Sequence, residues 1–196
     1  MSDKNKVKFG LKNVHYAKVT ETISETTGAI EVAYATPVRF HGAVSLTLNP
    51  QGDKQPFYAD DRVYYQDETN NGYEGTLVMA YHTDQVAQDI FGNSLDETTG
   101  ILVENVEDKV SQIALMYEFD GDSNKVRHVN YNVLLGRPTV ASETNAEGKV
   151  ITTVEYPVTA SAAADTGHVK GKAAQEAPAY DAFFDSVTLP GEVLGV

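Results

Sequence analysis

The chain has 196 residues, of which 41% are hydrophobic and 22% charged; it contains neither cysteine nor tryptophan, and 28 acidic against 15 basic residues give a formal net charge of -13. That length suits one domain able to bury about 70% of its unfolded surface without a disulfide or a metal. The charge argues against tight binding of nucleic acid through phosphate contacts. The polar start Met1-Ser2-Asp3-Lys4-Asn5-Lys6 does not read as a signal peptide. No apolar run approaches the roughly 20 residues that span a bilayer, so no membrane role is expected.

Period-two alternation dominates the chain and predicts mainly β structure. Val38, Phe40, Val44, Leu46 and Leu48 share one face of a first strand, which Asn49-Pro50-Gln51-Gly52-Asp53 should end. Residues 50–61 then read as a long polar loop with scattered aromatics, a kind of segment that usually carries function. Leu77, Met79 and Tyr81 repeat the alternation after Asn70-Asn71-Gly72.

Val86, Ala87, Ile90 and Phe91 form a helical stripe, with Thr83 or Asp84 able to cap its start and Gly92 its end. One short helix over residues 84–91 is expected, packed on the sheet through Val86, Ile90 and Phe91. Ile113, Leu115, Tyr117 and Phe119 then alternate, as do Val129, Tyr131, Val133 and Leu135 against His128, Asn130 and Asn132. The turn-rich Asp120-Gly121-Asp122-Ser123-Asn124 between them predicts an antiparallel hairpin. Val154, Tyr156 and Val158 make a later strand, which Pro157 should push to an edge or a bulge. Residues 160–178, rich in Ala, Gly and Lys, read as a low-complexity strand or an extended arm. The expected fold is an antiparallel β-sandwich or open barrel with one short α-helix.

No catalytic, cofactor or metal site emerges. Asp120, Asp122 and Asn124 imitate the start of a calcium loop, but Lys125 stands where glycine is needed and the closing glutamate is missing. The five histidines, His15, His41, His82, His128 and His168, are scattered and read as polar residues in loops or on outer strand faces. Asp60-Asp61 would point to opposite faces of a strand and so would not share a substrate. The chain lacks the GxSxG, GxxxxGK[ST] and GxGxxG motifs, which leaves an enzyme the weakest functional class. Tyrosines on a flat surface could stack on sugars, but Tyr81, Tyr117, Tyr131 and Tyr156 fall on the apolar faces of their strands.

Five segments in order carry a resemblance. They are Phe9-Gly10-Leu11-Lys12-Asn13-Val14-His15-Tyr16-Ala17, Phe57-Tyr58-Ala59-Asp60-Asp61, Phe91-Gly92-Asn93, Ile113-Ala114-Leu115-Met116-Tyr117-Glu118 and Phe183-Phe184-Asp185-Ser186-Val187. In their order and spacing the chain resembles the phi13-type major tail proteins of siphophages. The resemblance implies a single tail-tube domain over residues 1–196, assembling as six-membered rings that stack into a hollow, non-contractile conduit for genome ejection. It implies a virion protein assembled in the host bacterial cytoplasm, with tape measure, tail tip and terminator proteins as partners and double-stranded DNA in transient, non-specific passage. An acidic bore would let that DNA slide.

By the same resemblance, residues 50–65 form a long loop that reaches the next subunit or ring. Phe57, Tyr58 and Arg62 are its expected anchors, beside Asp60 and Asp61, because aromatics and arginine dominate interface energetics. Phe183 and Phe184 are expected to make a C-terminal contact. The arm of residues 1–8, or residues 160–178, is expected to order on assembly. The alternatives are a β-sandwich module that binds carbohydrate or cell wall, and a head-tail connector or capsid decoration protein.

Overall fold

The computed structural model describes residues 10–140 and 152–191; the expected arm of residues 1–8 lies outside them. In chain order the elements are β1 (Leu11–Ile23), β2 (Ile30–Tyr34), β3 (Val38–Arg39), β4 (Ala43–Pro50), β5 (Lys54–Ala59), β6 (Arg62–Glu68) and β7 (Tyr73–Met79). The helix α1 (Asp84–Phe91), the only one among the described residues, follows, then β8 (Ser94–Asp96), β9 (Ile101–Val103), β10 (Ile113–Phe119), β11 (Arg127–Leu135), β12 (Val154–Ser161) and β13 (Lys170–Ala173). The fold is mainly β, an antiparallel sheet that curls into an open barrel with one short helix.

The main sheet runs β2-β1-β10-β11-β12-β7-β4, with β13 paired to β11 and β3 to β1. β3 lies along β1 while β4, a few residues later, lies along β7. One stretch of chain therefore bridges the two edges of the sheet and curls it. Inside are Val14, Tyr16, Phe40, Leu77, Met79, Ile113, Leu115, Tyr117, Val133, Leu135, Tyr156 and Val158, with Val86, Ile90 and Phe91 of α1. Gly75 of β7 allows β4 to approach closely: a Cβ there would lie 1.8 Å from the Thr47 carbonyl oxygen.

The helix matches its sequence pattern at both ends. Thr83 is the N-cap, its hydroxyl accepting from the Val86 amide, and Gly92 closes the helix at φ 77°. Tyr16 donates to Asp89 of the helix at 2.7 Å, and the Phe91 ring stacks on Tyr156 at 6.0 Å.

Four expectations about strand phase are corrected. A bulge between Ala43 and Ser45 shifts the register against β7, so Ala43 packs inward and Val44 is 48% exposed. β7 ends at Met79, which leaves Tyr81 on the surface. In β11 an extra residue opposite β10 separates the pairs Ile113 with Val133 and Leu115 with Asn130. That bulge reverses the phase: Val133 and Leu135 face the barrel interior, whereas Val129 and Tyr131 face outward into a second core. His128 and Asn130 are consequently buried, with His128 stacked on Tyr117 at 5.4 Å.

Pro157 sits in an interior strand, not at an edge. Its carbonyl accepts from the Gly136 amide, just beyond Leu135, the last β11 residue paired with β12. The missing N–H therefore falls where that ladder ends, so it costs no interior hydrogen bond.

The second core lies on the outer face of β1, β10 and β11. Ala17, Ala114, Met116, Val129 and Tyr131 are covered there by Ala163, Ala173, Phe183 and Val187. Residues 160–178 are thus largely integral: β13 pairs with β11 from Arg127 to Asn130.

Two measurements test this packing. Leu77→Ala should lose about 2–5 kcal/mol in denaturant unfolding, whereas Val44→Ala should stay within about 0.5 kcal/mol. Burial lowers the pKa of His82 below its ordinary 6.5, with Asp84 opposing, and the ring Nδ1 shares a hydrogen bond with the Tyr156 hydroxyl at 2.7 Å. A depressed histidine contributes stability that is fully present above pH 6.5 and lost as the pH falls through the window below it. Unfolding midpoints measured from pH 7.5 to 5 should therefore drop less steeply for His82→Gln.

Candidate assembly surface

Residues 50–65, expected as a loop, lie in a β-hairpin. The stretch Phe57-Tyr58 before Asp60-Asp61 and Val63-Tyr64-Tyr65 after it alternates well enough to pair, and β5 and β6 form a two-stranded sheet of their own. Asp60 and Asp61 are the turn, at φ 52° and 55°. Two left-handed residues make the tight turn whose twist suits a hairpin, and aspartate tolerates that conformation. The two segments of the neck are hydrogen-bonded to each other. Gln51 donates to Gly72, Asn71 to Gln51, and Thr69 to Asp53, each at 2.9–3.1 Å.

Phe57 faces Tyr65 across the hairpin and Tyr58 faces Val63. Adjacent residues point to opposite sides of a strand, so both faces of the hairpin are apolar. Phe57, Tyr58, Val63, Tyr64 and Tyr65 are 50–67% exposed. An isolated two-stranded hairpin is marginal in water, and clustered exposed rings mark a surface meant for burial. The structure brings Phe57, Tyr58, Asp60, Asp61 and Arg62 together on this one projection.

A second projection continues β1. Its residues 19–23 pair with β2 beyond the stretch paired to β10, ending in Ile23 opposite Ile30, both exposed. Four successive antiparallel pairings relate β1 to β7, so the two strands run the same way. The β5–β6 hairpin enters the start of β7, and the β1–β2 extension leaves the far end of β1. The two apolar projections therefore emerge at opposite ends of the barrel.

Phe183 and Phe184 lie in a C-terminal segment that the barrel wall holds in place. Phe183 is buried in the outer core, while Phe184 stacks on His15 at 4.6 Å. The Arg127 guanidinium carbon lies 3.9 Å from the Tyr180 ring centroid and 4.8 Å from that of Phe184, and its NH1 donates to the Tyr180 carbonyl. On its other side Arg127 faces Glu118 at 3.5 Å, an ion-pair contact too long for a good hydrogen bond. Glu118 is buried but also accepts from Asn13 at 2.6 Å and lies 3.6 Å from Lys12. Sequence reading missed Arg127 and Glu118, because nothing local marks an ion pair between strands. Among the described residues no group of His, Asp and Glu could hold a metal ion.

No protein-family model matches the chain, and no curated protein matches it.

Arg127→Ala should cost about 2–3 kcal/mol in denaturant unfolding, since Glu118 keeps Lys12 and Asn13 but loses a charged partner. Arg127→Lys should recover little of it, because an ammonium cannot stack flat between the Tyr180 and Phe184 rings as a guanidinium does.

Proposed function

We propose that this chain is a structural, non-catalytic subunit of a siphophage tail tube, forming hexameric rings that stack into a hollow conduit for genome ejection. The observation that carries the reading is the β5–β6 hairpin, which places rings on both of its faces in water and is not needed to complete either core. Such a projection gains its stabilisation from a neighbour. Apolar projections at opposite ends of a barrel suit a heterologous contact, which repeats from copy to copy and closes into a ring or continues as a tube. β2 ends the main sheet, and an edge of this kind can extend pairing into another chain.

The role carries with it the virion tail as location and the host cytoplasm as place of assembly. Tape measure, tail tip and terminator proteins would be its partners, and double-stranded DNA would pass without sequence-specific contact. The net charge of -13 suits a conduit that must release its cargo.

A second reading rests on the same rings. Phe57, Tyr58, Tyr64 and Tyr65 grouped on one hairpin would also suit a module that stacks on sugars of a cell wall.

Negative-stain electron microscopy with light scattering on concentrated protein separates the two. Rings or hollow tubes are expected, and Phe57→Ser with Tyr65→Ser should abolish them while changing the unfolding free energy of the subunit by no more than about 0.5 kcal/mol. A persistent monomer that binds glycans would support the second reading instead.

A further inference from the structure

β2 and β4 are the two ends of the main sheet, and their outer edges differ. The Gln51 amide donates to the Gly72 carbonyl, so in the antiparallel ladder that continues from that pair Pro50, opposite Tyr73, turns its nitrogen away from β7. The missing N–H of Pro50 costs the subunit no hydrogen bond and removes a donor that another strand would need. Pro56 stands the same way in β5: Thr69 donates to Asp53, so Pro56, opposite Gln66, turns its nitrogen outward. Edges blunted by proline resist stray pairing.

β2 has no such guard. Ala35 donates to Lys18 and Ser24 to Ala29, both at 2.9 Å, which fixes the ladder between them. Glu31 and Ala33 turn their backbone groups to β1, whereas Ile30, Val32 and Tyr34 turn theirs outward. The strand is 5 residues long, carries neither proline nor bulge, and among the described residues nothing pairs with its outer edge. Tyr34 packs against the outer core, its ring 6.5 Å from that of Tyr131, which holds the strand in place. A groove of about 300 Å³ lies between Val32, Tyr34 and Thr36 on one side and Asp185, Val187 and Leu189 on the other, so the C-terminal segment leaves room beside it.

This edge is complementary to itself. When two β2 strands meet antiparallel with Val32 on the two-fold axis, Ile30 of each copy lies opposite Tyr34 of the other. Ile30, Val32 and Tyr34 are the residues whose outward N–H and C=O groups then exchange hydrogen bonds. Their side chains share one face, so its cross-strand pairs are Ile30 with Tyr34 and Val32 with Val32, all apolar. On the other face Glu31, the only charge in β2, lies opposite Ala33. Centring the pair on Glu31 would set like charges directly opposite, and centring it on Ala33 would leave Ile30 with no partner in β2.

We infer that β2 is a self-pairing edge, through which two copies of this chain join about a two-fold axis at Val32 into a continuous β1-β2-β2-β1 sheet. A two-fold contact closes on itself and does not propagate along a polar tube. The pair is therefore a form of the unassembled subunit, and it covers the end of the sheet that no proline protects. A strand of 5 residues buries less than the roughly 1,200 Å² of a stable complex, so the pairing is reversible and depends on concentration. The inference does not rest on the tube reading.

The chain contains no cysteine, so introduced thiols report the register. Positions 31 and 33 of opposite copies form a non-hydrogen-bonded pair with Cα atoms about 4.5 Å apart, within disulfide reach, whereas 31 and 31 lie on a diagonal of about 7–8 Å, out of reach. Oxidised at high concentration, Glu31→Cys mixed with Ala33→Cys should cross-link about tenfold above the collision yield, which Val106→Cys sets because that position is 93% exposed. Neither variant alone should exceed collision, but Val32→Cys alone should. Adding Val32→Pro to the mixed pair should return the yield to collision; the substituted nitrogen faces outward, so the subunit loses no hydrogen bond, and its unfolding midpoint checks this. Val32→Lys should do the same by setting two ammonium groups on the axis, with the backbone unchanged.

Glu31→Cys cross-linking alone as strongly as in the mixture, or a yield that survives both Val32 substitutions, would overturn the register. A mixture that stays at the collision yield would overturn the pairing. A protein that never forms rings in the microscope would count against the tube and leave this inference standing. Rings that retain the Val32→Cys disulfide would overturn it as a form of the unassembled subunit.

Discussion

The structure depends on one constraint: β10 and, apart from Leu134 near its end, β11 are buried on both faces. Strands in that position have little solvent side to relax into, so nearly every residue must meet a partner on one face or the other. The bulge in β11 makes this possible by reversing its phase halfway along. Its second half contributes to the barrel interior and its first half to the outer core. The polar residues caught between, Glu118, His128, Asn130 and Asn132, need compensating contacts, because an unpaired polar group costs several kcal/mol when desolvated. Arg127 and Asn13 serve Glu118, the Tyr117 hydroxyl donates to Asn130 at 3.3 Å, and Asn132 donates to the Ala162 carbonyl, also at 3.3 Å.

From that central ladder the rest of the architecture follows. The inner face requires a lid, which α1 supplies with Val86, Ile90 and Phe91; the outer face requires a cover, supplied by β13 and the segment containing Phe183 and Val187. Once both faces are covered, the apolar side chains still in water are concentrated on hairpins. These are β5–β6, the β1–β2 tip, and β8–β9 with Leu95 and Ile101. A core that is complete without them separates the folding of the barrel from what its projections do. Changes on the hairpins should therefore leave the stability of the barrel nearly unaltered.

The helix was legible in full from the sequence. Its stripe and its closing glycine are local signals that tertiary packing had no cause to override, and of the two candidate caps, Thr83 and Asp84, the structure uses Thr83. The β10–β11 hairpin was legible for the same reason, as alternation on both sides of a turn-rich connection. The phase of individual residues was less so. Val44 and the first half of β11 were assigned to the wrong side because one extra residue reverses every later assignment, and a bulge leaves no mark in composition; Tyr81 was misplaced because β7 stops at Met79. Pro157 was placed at an edge because its tolerance depends on where a neighbouring strand stops pairing, which that strand's own sequence does not state.

By itself, then, the sequence determined the β class, the helix and its closing glycine, and the aromatic character of the stretch around Phe57 and Tyr58, since each is written within a few consecutive residues. Only the tertiary structure decided that this stretch is a hairpin projecting from a finished barrel, with its neck hydrogen-bonded and its rings in water. Likewise only the register against β1 decided which backbone groups of β2 face its outer edge. The physical reason is that strand pairing joins residues of arbitrary separation, and its register depends on bulges and strand ends set by the whole sheet.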